Sequence, residues 1–190
     1  MKVFNVNIPS NKALTNYDIW QYARELDISS LNTVCMLDDL PPKACKSNEE
    51  CGIVNLNKTG EKGSHWVAYL LSDTGKEGKQ RIYFDSFGQI TPIEIQKYLK
   101  TKEEFRLNKN VIQRNTDIVQ PINSSICSQL CLFVSKALSE RHQDILNVLR
   151  VEKLPLVQFL MSRNRLPPVF CDRSKNSFDF DYLGKGDNKK

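Results

Sequence analysis

Histidine is nearly absent from this chain: His65 and His142 are the only two in 190 residues, so any chemistry that needs an imidazole has two candidates. Long apolar runs are missing as well. None approaches the roughly 18 to 20 residues that a membrane-spanning helix needs, and the start, MKVFNVNIPSNK, lacks the continuous apolar core of a signal peptide. A soluble intracellular protein is expected, with no membrane attachment. No histidine stands at finger-like spacing beside Cys45 and Cys51, six apart, or beside Cys127 and Cys131, four apart, so no metal site is expected. Nothing points to secretion, and the six cysteines, at 35, 45, 51, 127, 131 and 171, are read as free thiols. Eight glycines and eight prolines are too few for a low-complexity or fibrous chain, and no internal repeat is visible.

What is there suits a globular domain. Hydrophobic residues make up 40% and aromatics 9%, and the length allows one real core without disulfide or metal staples. Residues 1–183 are read as a single domain, and the charged, glycine-containing GKGDNKK of residues 184–190 as a flexible tail. The net charge of +5 favours weak, salt-sensitive attraction to polyanions without showing that it occurs. The basic run KYLKTKEEFRLNKNVIQR is broken by Glu103 and Glu104 and reads as a solvated face.

Periodicity places the elements. LTNYDIWQYARELDI carries Ile19, Tyr22, Ala23 and Leu26 at helical spacing, with Thr15 or Asn16 as its cap. CMLDDLPPKACKSNEEC reads as a loop. CGIVNLN, HWVAYLLS and QRIYFDSF, rich in β-branched and aromatic residues, read as three neighbouring strands. TPIEIQKYLKTK follows as a helix with a capping box from Thr91 to Glu94, and NVIQRNTDIVQ as a strand or extended segment. SSICSQLCLFVSKALSERHQDILNVLR is helical, with Cys127, Cys131, Val134 and Leu138 along one face, and LPLVQFLMSRN is a further short helix. Central strands with helices on either side make an α+β domain.

Cys127 follows Ser124 and Ser125, the expected caps of that long helix, and so falls in its first turn. Free amides and the positive end of the helix dipole favour a thiolate there. Cys131, one turn on, is expected to be buried and inert. His142 lies in the polar stretch SERHQD, where exposure is the ordinary outcome, whereas His65 opens a strand. Asp85 ends the third strand among Phe84 and Phe87, where burial needs a partner, and His65 would be one if the strands pair as neighbours. From its position alone, the reading of His65 as a solvated strand-end histidine prevails, and Asp85 also reads as an ordinary strand-terminating turn residue.

The ordered set CGIVNL, GSHWVAY, YFDSFG and VQPINSSIC resembles the adenovirus-type maturation proteases, relatives of the SUMO proteases, from about Cys51 to Val134. Within that family the chain is most similar to proteases of virophages and related capsid-forming DNA viruses and transposons, a likeness that takes in LTNYDIWQYA and LDDLPPK. The resemblance implies a papain-like, circularly rearranged cysteine-protease fold. It implies a central mixed β-sheet flanked by helices, with the nucleophile at a helix N-terminus. It implies Cys127 as nucleophile, His65 as its base and Asp85 as the residue orienting that base. Gln120 and the backbone N–H of Cys127 would form the oxyanion hole, and Trp66 would pack beside the site. Ser128 departs from the family's glycine after the nucleophile, which raises the expectation of a narrowed site.

The implied activity is that of a cysteine endopeptidase cleaving viral capsid or core precursors next to small, glycine-type residues during particle maturation. It would be a monomer in the virion and the host-cell interior, in a virus factory of the cytoplasm or nucleus. No cofactor is required for the chemistry, although adenoviral enzymes are stimulated by DNA and a short viral peptide, and the positive charge here allows weak nucleic-acid binding. Two alternatives share the sequence: a protease that processes or deconjugates a ubiquitin-like protein, and an inactive relative serving as a basic nucleic-acid-binding or scaffold protein.

Overall fold

Strands whose residues are apolar on both faces need cover on both sides, and the chain supplies it with helices before and after its strand-rich middle. The computed structural model describes residues 8, 12–41, 49–73, 79–120 and 124–140. The expected helix at LPLVQFLMSRN, the continuation of the long helix past residue 140, His142, Cys45, Cys171 and the boundary at residue 183 lie outside them.

Five strands form one mixed sheet whose spatial order is the chain order: β1 (Leu31–Met36), β2 (Glu49–Asn55), β3 (Trp66–Asp73), β4 (Lys79–Phe84) and β5 (Gln113–Arg114). The outer pairs, β1 with β2 and β4 with β5, are parallel, and the two inner pairs are antiparallel. Alternation assigns the faces. Cys51, Ile53, Trp66, Ala68, Leu70 and Phe84 join the core shared with α1 (Asn16–Glu25) and α4 (Cys127–Ser139). Val54, Val67, Tyr69 and Tyr83 face the other way, onto Ile95, Tyr98 and Leu99 of α2 (Ile93–Leu99).

The first helix is capped by Thr15 in a reciprocal box with Asp18, as its sequence suggests. The expected box at Thr91 does not form. Pro92 is itself extended, with ψ of 150°, and takes the cap position without a side-chain bond, while Gln96 Nε2 reaches back to the Thr91 carbonyl at 2.8 Å. A capping box forms instead from Thr101 to Glu104, opening α3 (Lys102–Arg106) in the run read as a solvated face. Glu104 also binds Arg81 of β4, at 3.0 and 3.1 Å, so that short helix is anchored to the sheet. Strand β1 is an addition to the three expected strands. The segment NVIQRNTDIVQ contributes only the two residues of β5.

The helix that bears Cys127 is buried at every residue from Cys127 to Leu138. A helix covered all round is held by packing rather than by its caps, and this one crosses β3 and β2 at the core of the domain.

Candidate active site

Pairing of β3 with β4 puts Ala68 opposite Phe84, which brings His65, just ahead of β3, beside the turn that follows β4. His65 Nε2 lies 2.8 Å from Asp85 Oδ1, with the Asp85 side chain fully buried and that of His65 14% exposed. The Phe87 ring packs tilted against the imidazole, centroids 4.9 Å apart. Asp85 is itself tightly held. Its Oδ1 also accepts from the Phe87 amide at 2.8 Å, and its Oδ2 accepts from the Tyr83 hydroxyl at 3.4 Å. Asn115 grips its main chain at both ends: the Asp85 amide donates to Asn115 Oδ1 at 3.0 Å, and Asn115 Nδ2 donates to the Asp85 carbonyl at 2.6 Å.

Cys127 is the first residue of α4, and it hydrogen-bonds to His65. With Nε2 taken by Asp85, Nδ1 is the ring nitrogen left for the sulfur. Ser124 and Ser125 do not cap the helix as expected. Ile126 holds the cap position, with no side-chain bond. The main chain at Ser128, in that first turn, bonds to the sulfur. Burial by itself raises a thiol, but the His65 hydrogen bond, main-chain hydrogen bonds at Trp66 and Ser128, and the His65 charge outweigh it and hold Cys127 below its ordinary value. Burial likewise disfavours the imidazolium, yet hydrogen bonds and charge from Asp85 and Cys127 raise His65 from 6.5 to about 9. Both shifts favour one state, a thiolate beside an imidazolium.

Gln120 is 2% exposed and lines the same cleft as Cys127 and His65. Its Oε1 accepts from the Ser86 hydroxyl at 2.6 Å, and its Nε2 donates to the Ser124 carbonyl at 2.7 Å. Trp66 packs in the wall, with its indole N–H on the Leu14 carbonyl at 3.2 Å. Ser128 does not narrow the cleft. It is fully buried, its hydroxyl accepts from the Leu14 amide at 3.4 Å and donates to Gln129 Oε1 at 2.9 Å, and Gln129 Nε2 reaches the Lys12 carbonyl at 2.7 Å. Serine and glutamine after Cys127 thus tie the segment leading into α1 against α4, where Leu14 and Thr15 form part of the cleft wall.

The cleft encloses about 690 Å³. Among the described residues its lining includes the carboxylates of Asp39 and Glu61 and no lysine or arginine, so the net positive charge lies elsewhere. Among the described residues, no three His, Cys, Asp or Glu side chains gather as metal ligands, and no helix is long and apolar enough to cross a membrane. Sequence reasoning did not single out Ser86, Tyr83 or Asn115. Their partners lie up to 34 residues away or across a strand end, and no local pattern announces them.

No protein-family model and no curated protein matches the sequence. By structure the chain is similar to the ASFV pS273R protease, with a TM-score of 0.53 and 15% identity over 86% of this chain and 71% of that one. A second crystal structure of the same protease gives 16% identity at the same TM-score. A fainter likeness, with a TM-score of 0.45, is to the Xanthomonas campestris effector protein XopD in its ubiquitin-bound structure, 14% identical over 84% of this chain and 93% of that one. The chain shares the fold of the ASFV pS273R protease, with the mixed central sheet flanked by helices that the sequence led one to expect.

Proposed function

We propose that the chain is a cysteine endopeptidase in which Cys127 is the nucleophile, His65 its base and Asp85 the group that orients the base. The observation that carries this reading is the convergence of Asp85 and Cys127 on one imidazole at the wall of a cleft. An ordinary thiol, with pKa about 8.5, is only a few per cent thiolate at neutral pH. The thiolate–imidazolium pair removes that handicap. Sγ attacks the peptide carbonyl, and the oxyanion is held by the Cys127 N–H and Gln120 Nε2, donors worth on the order of 10²–10³ in rate each. His65 then protonates the departing amine, and water, deprotonated by the neutral imidazole, hydrolyses the thioester.

The substrates in this reading are capsid or core precursors cut beside small residues during particle maturation, with the protein acting as a monomer inside the infected cell and the virion. The resemblance of CGIVNL, GSHWVAY, YFDSFG and VQPINSSIC to maturation proteases supports it. Stimulation by DNA or a viral peptide belongs to the same proposal, with any DNA contact made outside the acid-lined cleft. Processing of a ubiquitin-like protein would use the same catalytic groups. Incubating the protein and its Cys127→Ala variant with particle precursors and with a ubiquitin-like protein bearing a C-terminal reporter separates the two. Cysteine-dependent cutting of the precursors at glycine-containing sites is the expected result. Efficient release of the reporter with intact precursors would transfer the assignment, and inertness toward both, with tight salt-sensitive DNA binding, would favour the scaffold alternative.

A further inference from the structure

The Ser86 hydroxyl takes no part in the chemistry above, yet the residue is fully buried and donates its hydroxyl proton to Gln120 Oε1 at 2.6 Å. The Ser86 carbonyl accepts from the Gln120 amide at 3.2 Å and the Val119 amide at 2.9 Å, so one residue holds both the backbone and the side chain of Gln120. A carboxamide NH₂ has two hydrogens. One goes to the Ser124 carbonyl at 2.7 Å, which leaves the other for an oxyanion. Turning the amide over would set Oε1 against the Ser124 carbonyl, two acceptors face to face, and would remove the acceptor that Ser86 now uses. The neighbouring residue is Asp85, which holds His65. One tight turn therefore carries the restraints of both the base and the oxyanion donor.

We propose that Ser86 is a positioning residue of the oxyanion hole, acting through Gln120 to fix which amide atom faces the cleft. The proposal rests on the protease reading, and two reagents separate its failure from that of the reading. p-Nitrophenyl acetate acylates Cys127: Sγ bonds to the acetyl carbon, the carbonyl oxygen takes up the negative charge, and the C–O bond breaks to release p-nitrophenolate with its electron pair. Iodoacetamide reacts at a tetrahedral carbon and expels iodide, so no oxyanion forms.

With modification of Cys127 followed by mass spectrometry, Ser86→Ala should slow acylation about 10-fold, a fraction of the loss expected for a deleted donor, and leave alkylation within about twofold. In a Gln120→Ala background, Ser86→Ala should cost nothing further, because its effect runs through that amide. Equal loss of acylation and alkylation would make Ser86 merely structural and overturn the proposal. Unchanged acylation, or a full additional loss in the double variant, would overturn it as well. If Cys127 of the unaltered protein shows no enhanced alkylation, the protease reading falls and takes this one with it.

Discussion

Cys127 and Cys131 sit one turn apart on the same face of the same buried helix, 4% and 0% exposed, and their thiols are driven in opposite directions. Burial pushes Cys131 well above the ordinary value, with the Cys127 and Asp85 charges adding to it, and its Sγ donates to the Trp66 carbonyl at 3.3 Å. Cys127 suffers burial too. It differs in what faces the sulfur: an imidazole and main-chain bonds at Trp66 and Ser128, where Cys131 meets a carbonyl oxygen and the apolar core. Cys51 and Cys35 make the same point, both pushed up to about 12, with burial the largest cause in each. Thiolate character here follows local donors rather than exposure.

The largest effect should come from removing the imidazole. His65→Ala is expected to slow alkylation of Cys127 at mildly acidic pH by on the order of 10- to 10²-fold, as the thiol returns toward an ordinary pKa. Rates in the two proteins should converge as the pH approaches 9. His65 is raised from 6.5 to about 9, so the stability its imidazolium contributes is full below about 6.5 and is lost as the pH rises to about 9, above which the imidazolium itself is gone. Acyl transfer that needs the imidazolium as acid should therefore decline above about 9, whereas simple alkylation of the thiolate should not, and a paired pH profile checks both.

A smaller effect is expected from Asn115→Ala, which leaves His65 and Cys127 in place but releases the main chain of Asp85. Alkylation of Cys127 near pH 6 should fall several-fold, and its pH dependence should shift toward that of an ordinary thiol, with about 1–3 kcal/mol lost from thermal stability for the unpaired buried groups. An unchanged pH dependence would mean that Asn115 only supports the turn. Smallest of all, Cys131→Ala should cost about 1 kcal/mol in unfolding and leave the reaction of Cys127 untouched. A large loss of Cys127 reactivity would erase the distinction between the two positions.

Much of this arrangement was legible before any coordinates. The short runs CGIVNLN, HWVAYLLS and QRIYFDSF, rich in β-branched and aromatic residues, read directly as β2, β3 and β4, because those strands have residues buried on both faces. Thr15 and Asp18 announce the start of α1. Strand β1 escaped notice because LNTVCM runs into a polar, proline-containing loop and is only partly covered, and β5 because two residues carry no period. The nearness of His65 and Asp85 followed only on the assumption that their strands pair, which the register of β3 with β4 supplies. Ser124 and Ser125 looked like caps by composition, but the helix begins at Cys127 after an uncapped Ile126, a matter of backbone angles that residue types do not reveal. The outer supports, Ser86 on Gln120 and Asn115 on Asp85, join segments about 30 residues apart and are visible only in three dimensions.

The central claim is that Cys127, alone among the four cysteines of the described residues, is activated, and trace iodoacetamide at mildly acidic pH tests it without knowledge of a substrate. Each of the six cysteines of the folded protein can be mapped by mass spectrometry after partial reaction. The expected result is selective labelling of Cys127 with Cys131, Cys51 and Cys35 untouched. Slow labelling of Cys127 at a rate indistinguishable from the other cysteines, in the presence of DNA and precursor peptides as well as in their absence, would contradict the claim.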